Sequence, residues 1–179
     1  KIPPPPALFT TDASRTITIP TDNRSVFLKL VTDTLQEPEQ AGTIKRILIK
    51  FQQGQNERYA NLTDFFDLWH IVPPPNVLQH LDPSLMFFVF YGPDGPRIGF
   101  AGRTQDSNRT LSDMFFWEQE LLSDIKPFFF QEELRPPEPP LFEDRTFSNT
   151  DWRYFKLSTK KDLGIGYMVF QASRLVVFS

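Results

Sequence analysis

Residues 85–102 read L-M-F-F-V-F-Y-G-P-D-G-P-R-I-G-F-A-G. The first seven residues are apolar, aromatic-rich and of strand length. Gly92, Pro93, Asp94, Gly95 and Pro96 then interrupt the run, and the chain returns over 97–102. Aromatic and branched side chains suit a pleated strand, whereas Gly, Pro and Asp mark turns. The stretch predicts an antiparallel hairpin closed by a five-residue turn, and an antiparallel hairpin among helical segments points to an α+β fold.

Upstream, 43–51 (T-I-K-R-I-L-I-K-F) alternates and is β-branched, as a strand should be, and Gly54 with Asn56 marks a turn. Residues 15–19 (R-T-I-T-I) predict another short strand, ended by Pro20. Between them, Thr21, Asp22 and Asn23 offer caps for a helix over 24–36. Its apolar residues Phe27, Leu28, Val31 and Leu35 share one face. A second helix opens at Asn61-Leu62-Thr63-Asp64, where a side-chain oxygen and a carboxylate three residues on make a capping box; Pro73, Pro74 and Pro75 end it.

Downstream, Thr110-Leu111-Ser112-Asp113 predicts the opening of a third helix running to about Lys126, with Leu111, Met114, Phe115, Leu121, Leu122 and Ile125 as its apolar stripe. Strands are expected at 145–147, 152–157, 165–171 and 174–178, the last two joined through Ala172 and Ser173. The segments 61–66 and 110–115 look alike, which raises the question of a duplicated helix-plus-hairpin unit; convergence of good capping residues is the simpler explanation. The expected architecture is therefore α+β: about seven to nine short strands, mostly antiparallel, with three main helices packed on one side. Residues 1–13 are expected to be a proline-rich tether and 14–179 a single domain, with 14–103 and 104–179 as candidate halves.

The chain has 179 residues, 40% of them hydrophobic, and its nineteen phenylalanines supply enough apolar area for a core despite seventeen prolines. A net charge of −3, with Lys and Arg largely scattered and Lys160-Lys161 as the only local pair of lysines, argues against nucleic-acid binding, which needs clustered cations to neutralise phosphates. The lack of cysteine removes disulfides, thiolate metal sites and thiol chemistry. No apolar run reaches the roughly 20 residues of a membrane-spanning helix.

Catalytic signatures are weak. His70 and His80 lie ten apart rather than at the four-residue spacing of paired metal ligands, so no metal or other cofactor is expected. No serine sits in a nucleophile elbow. Gly164-Ile165-Gly166 lacks the third glycine and the following helix of a phosphate loop. Of the carboxylate pairs (Asp64 with Asp67, Glu118 with Glu120, Glu132 with Glu133, Glu143 with Asp144), Glu118 is the one placed near an apolar stripe, where burial or pairing with a cation is expected. Candidate contact residues are aromatic. Phe128, Phe129 and Phe130 cannot all face one core and form either a cover or an apolar patch for a partner. Trp69, Trp117, Trp152 and Tyr154 are candidate platforms for a small molecule or glycan.

The run Pro3 to Pro6 predicts a stiff, solvated polyproline II rod, a spacer between the domain and an upstream membrane anchor. Taken with the segments 111–129, 142–154 and 164–178, this arrangement resembles uncharacterised single-pass, membrane-anchored envelope proteins of small-genome uncultivated bacteria. The resemblance implies a setting outside the cytoplasmic membrane and transfers no functional residue. The expected function is accordingly that of a non-enzymatic, membrane-tethered extracytoplasmic domain, acting through contact with a protein partner in the envelope or a surface assembly. A small-molecule or glycan binding domain is the alternative, and a carboxylate-dependent hydrolase the remote one.

Overall fold

A computed structural model describes residues 2–20, 23–129, 134–139, 141–147, 149–159, 163–172 and 175–178. The chain is mixed α+β and forms two compact units, Lys1–Trp69 with Pro83–Gly102, and His70–Asp82 with Arg103–Ser179. Residues 70–82 group with the later part of the chain, and the units change over again between Gly102 and Arg103. Among the described residues no helix is long and apolar enough to cross a membrane.

The first unit contains β1 (Ala13–Pro20), α1 (Arg24–Leu35), β2 (Ile44–Gln53), β3 (Asn56–Tyr59), α2 (Leu62–Trp69), β4 (Met86–Gly92) and β5 (Gly95–Arg103). Strands run in the order β1-β2-β4-β5, with β3 on the end of β2 that β4 leaves free. β1 and β2 are parallel, joined by the α1 crossover, and the other pairs are antiparallel. The predicted hairpin is present but tighter than its composition suggests: Gly92 pairs with Gly95, leaving Pro93 and Asp94 as a two-residue loop. Gly95 has φ 116°, open to glycine at little cost.

Of the three cap candidates for α1, Asn23 acts, its side-chain oxygen accepting from the Val26 N–H at 3.1 Å; Thr21 and Asp22 lie outside the described residues. The α2 capping box forms reciprocally, with Asn61 Oδ1 accepting from the Asp64 N–H and Asp64 Oδ2 from the Asn61 N–H, both at 2.9 Å. The helix so fixed delivers Phe65, Phe66 and Trp69 into an aromatic core. Phe65 meets Phe87 at 5.2 Å and Phe100 at 4.9 Å, and Trp69 meets Phe27 at 5.2 Å. Such rings contribute through buried area and through edge-to-face contact. His70 then closes α2 in the left-handed region, φ 56°.

The proline run does not stand away from this unit along its whole length. Arg46 Nη2 donates to the carbonyls of Pro5 at 2.9 Å and Pro6 at 3.2 Å, the Leu8 N–H points at Met86 Sδ, and the Phe9 ring sits edge-on to Phe88 at 5.4 Å. A polyproline rod makes no internal hydrogen bonds, so its carbonyls are free to accept from a guanidinium. Residues 5–9 thereby cover Arg46 and Phe88, which are cross-strand neighbours on β2 and β4.

The second unit contains α3 (Pro75–His80), α4 (Ser107–Ile125), a 3-10 turn (Lys126–Phe129), β6 (Glu143–Phe147), β7 (Thr150–Lys156), β8 (Gly164–Phe170) and β9 (Leu175–Phe178). Its strands run β9-β8-β7-β6, antiparallel throughout. Ser173, in the expected β8–β9 loop, lies outside the described residues. Two expectations need correction here. The run Pro73–Pro75 does not end α2, which stops at Trp69 before it, but starts α3 at Pro75, because proline at the first helical position needs no N–H partner and already has a helical φ. And α4 opens three residues before Thr110: Asp106 Oδ1 accepts from the Arg109 N–H at 3.1 Å. Thr110 is fully buried, its hydroxyl 2.5 Å from that of Thr104. Asp113 accepts from Asn76 Nδ2 at 2.9 Å and lies 2.9 Å from His80 Nδ1, tying α3 to α4. The sequence likeness of 61–66 and 110–115 therefore does not extend to their structural roles.

Candidate binding pocket of the second unit

α4 buries Thr110, Met114, Trp117, Leu121 and Ile125 at three- and four-residue spacing. One row over lie Leu111, Phe115 and Glu118, turned toward β7 and β8. On β7 side chains alternate, so Asp151, Arg153 and Phe155 share the α4 side, and Trp152 and Tyr154 point to the other. Leu111, Phe115, Asp144, Asp151, Arg153 and Tyr167 help line a pocket of about 590 Å³, whose rim includes Asn149, Thr150 and Gln171.

At its base is a charge network. Arg153 meets Glu118 through a two-pronged contact, Nε to Oε1 at 2.7 Å and Nη2 to Oε2 at 2.6 Å. The Tyr167 hydroxyl donates to Glu118 Oε1 at 2.6 Å. Asp144, the cross-strand neighbour of Arg153, accepts from Nη1 at 2.7 Å. The Arg153 guanidinium also lies over the Phe115 ring, 5.3 Å from its centroid. The side chains of Arg153 and Glu118 are 17% and 13% exposed, whereas Asp144 is 89% exposed. Two-pronged arginine–carboxylate pairs are strong and directional, so the arrangement is rigid at Glu118 and open at Asp144. The Glu118 hydrogen bond holds the Arg153 guanidinium charged beyond the ordinary arginine range, against the opposing effect of burial and with further help from Asp144. Burial first, and the Glu118 carboxylate second, push the Tyr167 phenol well above its usual range.

On the opposite side of β7 the aromatic platforms sit over glycine. Gly166 faces the Trp152 ring and Gly164 the Tyr154 ring so closely that a β-carbon at either position would collide with it. Trp152 and Tyr154 meet edge-on at 5.3 Å, and the Arg145 guanidinium stacks 3.7 Å from the Tyr154 centroid.

Trp152 borders the pocket and Tyr154 is half-buried beside it. Trp117 is buried, its Nε1 donating to Asp124 at 2.7 Å, and Trp69 is buried in the first unit. Phe128 is buried and Phe129 half-buried, the rings 6.0 Å apart; Phe130 lies outside the described residues. The structure thus joins Glu118 to Arg153 and Tyr167, sets Trp152 with Tyr154 on the opposite side of β7, and leaves Trp117, Phe128 and Phe129 elsewhere. Sequence reasoning passed over Arg153, Tyr167 and Asp151. The period-two row Asp151, Arg153, Phe155 was the available signal, because it sets a cation on the same strand face as a core phenylalanine and so calls for a buried partner. Among the described residues, no three His, Cys, Asp or Glu side chains converge as metal ligands. No family model, curated protein or solved structure matches this chain.

Proposed function

We propose that the chain is a non-catalytic binding domain, tethered outside the cytoplasmic membrane, whose contact surface is the α4–β7–β8 face of the second unit. The observation that carries this reading is the state of Glu118. Both of its oxygens already accept hydrogen bonds, from Arg153 and Tyr167, so the carboxylate best placed for acid–base work is committed to holding the pocket's shape. A general acid or base needs instead to reach a proton on a substrate. α4 presents Phe115, 45% exposed, at the pocket and Phe116, 69% exposed, on a neighbouring strip of the helix, apolar surface suited to contact with a protein of the envelope or of a surface assembly. The extracytoplasmic setting rests on reading the Pro3–Pro6 run as a spacer.

A photoreactive benzoylphenylalanine at position 116 of the full-length protein, expressed in its native host, tests the reading. The expected result is a discrete crosslink to an envelope protein that is absent when the probe stands at position 29. Crosslinking no stronger at 116 than at 29, or recovery of the full-length protein in the cytosolic fraction without an anchor, would overturn it. The pocket itself favours a second reading, in which the molecule held is small.

A further inference from the structure

Resting on the reading of the chain as a binding domain, we propose that the pocket of the second unit takes a neutral oligosaccharide, with a sugar ring lying on Phe115 and hydroxyl groups reaching Asp144, Asp151, Asn149 and Gln171. A volume of about 590 Å³ falls within the usual span of small-molecule sites, about 300–1,000 Å³, and holds a short oligomer.

The charges among the described residues select against anionic ligands. Arg153 is the cation among the described residues that line the pocket, and Glu118 and Asp144 already engage it on both edges of its guanidinium. An anion entering here would meet no free positive charge among the described residues and would face the Asp144 and Asp151 carboxylates. A cation would be drawn to those carboxylates, so a polyamine is the competitor against which a neutral ligand has to be tested. What the pocket retains is hydrogen-bonding capacity. Asp144 uses Oδ1 on Arg153, and Asp151 uses Oδ1 on the Thr146 hydroxyl at 2.8 Å, leaving Oδ2 of each for a ligand. The Gln171 amide nitrogen donates to Asn108 at 3.2 Å, which orients its oxygen as an acceptor. Fixed acceptors beside an apolar wall of Leu111 and Phe115 match a molecule with hydroxyl donors on its edge and C–H groups on its face. A carboxylate accepting from a sugar hydroxyl forms a charge-assisted hydrogen bond without requiring charge on the ligand.

The test is a printed array of neutral, acidic and amino oligosaccharides, followed by calorimetry with the best array hit, an oligogalacturonate and spermidine. The 179-residue chain and its F115A, D151N and K29A variants are compared, each checked by its thermal melt. We expect a neutral oligosaccharide to bind saturably, F115A and D151N each to weaken it about tenfold, as loss of a hydrogen bond or a stacked ring does, and K29A to leave it unchanged. Preference for spermidine or the galacturonate, or equal binding by all four proteins, would overturn the assignment. A blank array with a positive crosslink at 116 removes the saccharide and keeps the binding domain; a blank array with no crosslink removes both.

Discussion

Arg46 on β2 and Arg153 on β7 carry the same side chain into the protein and put it to different use. Arg46 is 7% exposed and faces backbone: its guanidinium donates to the carbonyls of Pro5 and Pro6. Its Nε is buried and, among the described residues, has no hydrogen-bond acceptor. Burial accordingly lowers its proton affinity, the opposite of the direction at Arg153. Arg153 has two carboxylates and forms the base of an open pocket. An arginine answered only by carbonyls is a fastener for a strap of chain. One answered by carboxylates fixes geometry while leaving acceptor atoms over for another molecule. Partner chemistry, and not depth, separates the structural arginine from the one at the candidate site.

The strongest way to break this contrast is to remove Glu118. In E118A the guanidinium loses its main partner while remaining largely enclosed, and Tyr167 loses its acceptor. Deleting one member of a buried pair costs about 3 kcal/mol. Urea unfolding should show a loss of that size, and E118L combined with R153M should recover much of it, since desolvation of both charges disappears together. A loss below about 0.5 kcal/mol, the range of exposed pairs, would place Arg153 with surface arginines.

Next in size is an approach from the other side of the same strand. G166A sets a β-carbon against the Trp152 ring, and overpacking of this kind costs about 2 kcal/mol. Because Trp152 and Arg153 are consecutive on β7, the displaced ring should also change tryptophan emission and loosen the Arg153–Glu118 contact, measured as faster amide exchange at 152–154. Unchanged emission with unchanged stability would mean that the ring is not held by the glycine.

R46M should cost less, about 1 kcal/mol. Two hydrogen bonds from a charged donor are lost, but the desolvation penalty of a guanidinium with an unanswered Nε is relieved as well. The effect should be local, with faster proteolysis within residues 2–9 and no change in the second unit. If R46M proved more damaging than E118A, the distinction drawn between the two arginines would fail.

Much of the scaffold around both arginines was legible in the sequence. The 85–102 hairpin, the β2 pattern and the Asn61–Asp64 box are short-range signals, each complete within a few residues, and each forms as its chemistry demands. What escaped reading depends on partners far along the chain. Thr110 to Asp113 matches a helix start as well as 61–64 does, yet Thr104 claims the Thr110 hydroxyl, and Asn76 and His80 claim Asp113. Helix α3 was hidden because three prolines read as a stop regardless of whether a helix begins at the last of them. At the site, the proximity of Glu118 to an apolar stripe was visible, but its partners lie 35 and 49 residues away, a separation at which local patterning carries no information. The strap was missed for a similar reason, since nothing in a proline run names the arginine that will hold it.

A third arginine supplies the smallest and most controlled comparison. Arg58 is 56% exposed and grips Asp64, the capping residue of α2, through Nη1 at 2.6 Å and Nη2 at 2.7 Å. Burial would raise the Asp64 carboxyl, but the hydrogen bonds from Arg58 and the Asn61 N–H, with the Arg58 charge, outweigh it and leave Asp64 below its ordinary value of 3.8. A carboxylate lowered in the folded state supports folding above its unfolded value, and that support is lost as the pH falls through the folded one. The contribution of Asp64 should therefore be constant near neutrality and decline on acidification from about pH 4 downward. With one partner largely in water the pair is screened, so D64N should cost only about 0.5 kcal/mol at pH 7, and the gap between D64N and the parent should close as the pH falls through the lowered folded value of Asp64. Unfolding curves of the two proteins across that range decide the matter. A D64N loss as large as that of E118A would mean that solvent exposure of the arginine does not grade these pairs, whereas a gap that closes on acidification places Arg58–Asp64 at the weak end of a series set by partner and burial together.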